Sequence, residues 1–71
     1  MVIEEEFGND YYGDLIIKNY PNLQSIIVKN NSLKNLNSLK ICNCERLKII
    51  KIEDNALLFS SDISIKSNTL F

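Results

Sequence analysis

The stretch LQSIIVKNNSL, residues 23–33, places apolar side chains at Leu23, Ile26, Val28 and Leu33, with Asn31 between the last two. Advanced by 24 residues it becomes LKIIKIEDNAL, residues 47–57, so Leu23 maps to Leu47, Ile26 to Ile50, Val28 to Ile52, Asn31 to Asn55 and Leu33 to Leu57. The same shift carries Leu15 to Leu39 to Ile63, Ile17 to Ile41 to Ile65, Asn19 to Asn43, and Leu47 to the last residue, Phe71. Scattered leucine and isoleucine would not hold one register over so many positions. A period of this length marks units that bury their apolar faces against their neighbours.

The register divides the chain into a first repeat, 14–37, a second, 38–61, and a partial third, 62–71. Residues 1–13 read as an N-terminal strand or turn cover, or as part of an earlier repeat. Phe71 stands at a core position and no polar cap is evident, so the expectation is a fragment of a longer array.

Within each repeat the apolar residues form two period-two pairs, Leu15/Ile17 then Ile26/Val28, and Leu39/Ile41 then Ile50/Ile52. Such alternation, rich in β-branched residues, predicts short strands with one face inward. Asn30-Asn31, Asn43, Asp54-Asn55 and Asn68 fall where strands should end, and asparagine tolerates the left-handed conformations found there. The leucines of LKNLNSLK allow one helical or 3₁₀ turn near 33–37, and the asparagines discourage a longer helix. Ser60 takes the place of Leu36 and thins the second repeat. A 24-residue stack predicts outward columns of Ser25 over Ile49, Ile3 over Ile27 over Lys51, and Glu5 over Lys29 over Glu53. Opposite charges at pairing distance in the last column contribute about 0.2–1 kcal/mol per pair.

These motifs carry a resemblance. Leu23-x-x-Ile26-x-Val28-x-x-Asn31-x-Leu33 and Leu47-x-x-Ile50-x-Ile52-x-x-Asn55-x-Leu57 resemble the leucine-rich repeat core LxxLxLxxNxL, and Cys44-x-x-Leu47-x-x-Ile50-x-Ile52 looks like the repeats of short bacterial-surface and protist members. The resemblance implies a mainly β fold, a right-handed leucine-rich-repeat solenoid of about three turns with short parallel strands and little or no helix. It also implies that Asn31 and Asn55 bond backbone groups of adjoining turns, and that the array is a binding or adhesion surface.

Composition narrows the chemistry. A 71-residue chain is one domain at most and has a small core; 45% apolar and 24% charged residues fit a globular protein. A net charge of −1 gives no general attraction to nucleic acid or anionic lipid. Charge is uneven: residues 1–14 hold five acids and no base, and residues 15–51 hold seven bases against Glu45 alone. No apolar run is long enough to span a membrane as a helix, and the acidic start lacks the pattern of a secretory signal, which makes the cytoplasm the default location.

Without histidine, nucleophile pairs that need an imidazole base are excluded, as are most zinc sites. Cys42 and Cys44 form a lone CxC that reads as two ordinary thiols, Cys44 inward. Glu4-Glu5-Glu6 and Glu53-Asp54 lack EF-hand spacing and read as solvated charge. FGNDYYGD, residues 7–14, reads as a cover with Tyr11 or Tyr12 on the end of the stack, and Asn30-Asn31-Ser32 is a sequon without a secretory context. No catalytic, metal or cofactor residue is expected. The expected partner is another protein, held by Ser25, Ile27, Lys29, Ile49, Lys51 and Glu53, with Ile27 and Ile49 as apolar contacts. The alternative is a purely structural stacking unit whose exposed strand edges pair with further repeats or with another copy.

Overall fold

The computed structural model describes residues 1–66. Asn68 and Phe71, expected at a turn and in the core, lie outside them. Six strands form in order: β1 (Val2–Ile3), β2 (Asp14–Lys18), β3 (Ser25–Val28), β4 (Ser38–Cys42), β5 (Ile49–Ile52) and β6 (Asp62–Lys66). The chain alternates between two three-stranded parallel sheets, β1-β3-β5 and β2-β4-β6. No helix occurs among the described residues, and near 33–37 a single turn closes where the Leu36 amide donates to the Leu33 carbonyl at 3.2 Å.

The 24-residue shift is the register of three of the four pairings. Ser25–Val28 lies against Ile49–Ile52, and Ser38–Cys42 lies between Asp14–Lys18 and Asp62–Lys66, each residue beside its 24-residue counterpart. Alternation then decides the faces. Ile17, Ile26, Val28, Leu39 and Ile41 point into one core, joined by Leu33, Leu36, Cys44, Leu47 and Leu57 from the turns. Each such aliphatic side chain contributes about 1.5–3 kcal/mol on burial. The second strand pair is thus a true sheet.

The first turn departs from this register. Val2 pairs with Ile27 and Ile3 with Val28, a shift of 25. The predicted column of Ile3 over Ile27 is therefore wrong; Val2 is the outward residue above Ile27, and Ile3 packs partly buried against the core. The same offset shifts the charge column, so that Lys29 meets Glu4 at 3.9 Å rather than Glu5. In the unshifted β3–β5 register Glu53 pairs with Lys51, two residues away, at 3.5 Å rather than with Lys29.

The backbone locates the extra residue. Left-handed φ angles recur at Glu6, Asn31 and Asn55 (61°, 58° and 60°), and at Gly8, Leu33 and Leu57 (74°, 46° and 56°), so the 25-residue offset still holds at Gly8. The turn bond from Tyr11 N to Gly8 O matches that from Leu36 N to Leu33 O, again 25 apart, whereas Gly13 O accepts from Asn37 N just as Asn37 O accepts from Ser61 N, 24 apart. The surplus residue is Tyr12, 69% exposed.

Turn chemistry explains the rest. Asn19 and Asn43 share left-handed φ values of 63° and 54° after β2 and β4, as a planar polar side chain permits. Tyr20-Pro21-Asn22-Leu23 closes with Leu23 N donating to Tyr20 O, where proline presets φ. Leu47 N donates to Cys44 O one repeat later.

Candidate interaction surface

Because Ile26 and Val28 point inward, their neighbours on β3 must point out, and β1 and β5 extend that face. Val2, Ile27 and Lys51 form one outward column, and Ser25 and Ile49 form the next. Ile49 is 58% exposed and Val2 49%, while Ile27, between Val2 and Lys51 in its column, is half-buried. Ser25 and Lys29 are also partly covered, and Lys51 is exposed.

The base excess of residues 15–51 does not make this face basic. Lys29 and Lys51 each have a carboxylate within reach, Glu4 and Glu53 respectively, so the charged rim is close to neutral. Such solvent-exposed pairs contribute about 0–1 kcal/mol each and chiefly orient the side chains. All six sequence-predicted contact residues share this face; Val2 joins them, hidden from the sequence reading by the offset of the first turn.

Polar side chains tie successive turns together elsewhere. Asp14, at the start of β2, accepts from Asn37 Nδ2 at 2.8 Å and Ser38 Oγ at 2.7 Å. These bonds favour the carboxylate and hold its pKa below the usual range, the Asn37 bond first, with a smaller contribution from the Lys40 charge. Asn43 Nδ2 donates to Asn19 Oδ1 at 3.1 Å. Asn9 donates to Asn31 O at 2.9 Å and accepts from Lys34 N at 2.9 Å, and Asn30 Oδ1 accepts from Asp54 N at 3.1 Å. Near Asn31 and Asn55 the side-chain bonds to adjoining turns run from Asn9 and Asn30, while Asn31 and Asn55 supply the left-handed backbone.

Ser60 Oγ donates to Leu36 O at 2.6 Å, so the residue that thins the core binds the preceding turn instead. Cys44 is buried, its Sγ donating to Cys42 O at 3.5 Å, and Cys42 is half-buried. Among the described residues no group of three or more His, Cys, Asp or Glu is placed to hold a metal ion. Tyr11 donates from its hydroxyl to Asp14 O at 2.8 Å at one end of the molecule. Beside it opens a cavity of about 520 Å³ that includes Ile3, Phe7, Leu15, Ile17 and Tyr20 in its walls. The sequence reading missed this feature; its signal was the set of aromatics at residues 7, 11 and 20.

Set against protein-family models, curated proteins and solved structures, the chain matches none.

Proposed function

We propose that the chain is a leucine-rich-repeat segment, a right-handed solenoid of about three turns, that binds another protein through the outward face of β1-β3-β5 and catalyses no reaction. The parallel pairing of the two LxxLxLxxN strands at 24 residues supports the repeat reading. Right-handedness follows from the strong preference of parallel crossovers for that hand. The observation that carries the binding reading is Ile49, 58% exposed on a regular strand beside half-buried Ile27, with the surrounding charges paired off. An apolar patch with a neutralised polar rim has the composition of a protein contact.

The test replaces Ile27 and Ile49 by serine. Affinity capture with the wild-type chain, the double variant and an Ile16→Ser control on the other sheet should show proteins retained by wild type and control and lost with the double variant, whose circular dichroism stays native. Identical capture by all three baits sinks the proposal, as does loss of the β signal in the double variant. The stacking-unit reading is favoured by the unpaired outer edges of β1 and β2; it requires association that grows with concentration, whereas a binding module stays monomeric.

A further inference from the structure

Parallel pairing within both sheets sorts the connections by side. Every loop that leaves β1-β3-β5 for β2-β4-β6, residues 4–13, 29–37 and 53–61, lies along one flank of the coil. The loops that return, 19–24 and 43–48, lie along the other. The charges sort with them. The first flank carries Glu4, Glu5, Glu6, Asp10, Glu53 and Asp54 against Lys29 and Lys34, and Asp14 and Asp62 open the strands that leave it. The second carries Arg46 and Lys48 against Glu45, and Lys18 and Lys66 close the strands that reach it. All the acids but Glu45 thus stand on one side, and a net charge of −1 conceals a dipole across the molecule.

We infer that copies of this chain associate side by side, the basic flank of one against the acidic flank of the next. Charge complementarity selects this occupant. Internal ion pairs engage Glu4 with Lys29 and Glu53 with Lys51. Glu5, Glu6, Asp10 and Asp54 stand exposed on the acidic flank, as do Lys18, Arg46, Lys48 and Lys66 on the basic one. Contact between like flanks brings like charges together, which is costly, so the favoured contact is acid flank to base flank.

Such a contact is heterologous. Each copy keeps one flank open, and the assembly grows without closing at a dimer. Exposed pairs are individually weak and are screened by salt, so the association is reversible and set by ionic strength.

This contact differs from pairing of strand edges, whose backbone hydrogen bonds persist in salt. It also leaves the outward face of β1-β3-β5 uncovered, because the flanks lie beyond the strand ends. The monomer required of a binding module is therefore the species read at high salt, where the flanks no longer attract.

The experiment is sedimentation equilibrium of the whole chain up to about 1 mM, in about 20 mM and about 0.5 M salt, where the screening length falls from about 20 Å to about 4 Å. The mean mass should climb steadily with concentration in low salt and stay that of the monomer in high salt. Arg46→Gln with Lys48→Gln should weaken the association at least roughly tenfold, and Glu5→Gln with Asp54→Asn likewise. Lys40→Gln with Lys51→Gln removes the same net charge as the first pair from within β4 and β5, and should change it by less than about twofold. All these positions are exposed, and circular dichroism should stay native. Amide shifts that grow with concentration in low salt should fall on both flanks and spare Ile27 and Ile49. A wild type that is monomeric in low salt, association that survives high salt, or a plateau at a dimer overturns the inference. So do equal losses in the Arg46/Lys48 and Lys40/Lys51 variants, which would make net charge the cause, and shifts centred on Ile27 and Ile49.

Discussion

Truncating Leu47 to alanine tests whether the turns share one core. Leu47 is fully buried under the Cys44–Leu47 turn, away from the cavity walls, so the space left by three lost carbons cannot merge with existing space. For such a site a Leu→Ala change costs about 3–5 kcal/mol. A chain of this size has about 4–10 kcal/mol of total stability, so most of the margin goes. With a urea slope of about 1 kcal/mol/M for a small domain, the unfolding midpoint read by circular dichroism should fall by about 3 M or leave the chain unfolded. Two matched changes sharpen the test. Leu36→Ala borders the open cavity and should cost less, about 2–3 kcal/mol, while Leu58→Ala, 51% exposed, should stay within about 0.5 kcal/mol. A loss below about 1 kcal/mol at Leu47, or equal losses at Leu47 and Leu58, would refute a single shared core.

Three further outcomes follow from the turns and the polar ladder. Gly8→Ala puts a Cβ into Leu33 at a left-handed φ of 74° and should destabilise by about 1–2 kcal/mol or more in urea melts. Asn55→Gly should be neutral or slightly stabilising, and Asn55→Ala should cost about 1 kcal/mol, because the exposed residue is held at φ 60°. The Asp14 carboxyl has its pKa lowered in the folded state, so its stabilisation is complete above the unfolded value of about 3.9 and is lost as pH falls through the folded value. Urea midpoints should therefore drop more steeply on acidification for wild type than for Asp14→Asn; parallel slopes would show that the Asn37 and Ser38 bonds do not favour the charged form.

The strands and their parallel register were legible because apolar positions repeat: Ile17, Ile41 and Ile65 fill one column, the first two buried and the third packed partly buried against the core. What escaped was conformational. Leu33 and Leu57 look like ordinary core leucines, yet both sit at left-handed φ where the first turn has Gly8. That backbone costs a non-glycine residue about 1–2 kcal/mol, offset by burial of a side chain that gains about 1.5–3 kcal/mol. Composition does not reveal such a trade. The first turn was misread for a related reason. Apolar Val2 and Ile3 are adjacent, so either can be placed inward, and the deciding information lies ten residues away at Tyr12. The outward face of β3 and β5 was legible from alternation, whereas the cavity depends on how the first turn meets β2 and left only the aromatics at residues 7, 11 and 20 as a trace.

Tyr12 also shows how this fold handles changes of length. The extra residue leaves all five pairings of β2 with β4 in place, and the bonds on either side of it, Tyr11 N to Gly8 O and Asn37 N to Gly13 O, are both made. A spare residue is looped into solvent between two fixed anchor points. Position 12 is therefore a natural graft point: a fluorophore, an affinity tag or a short foreign peptide placed there would hang from the scaffold without altering how its strands are aligned.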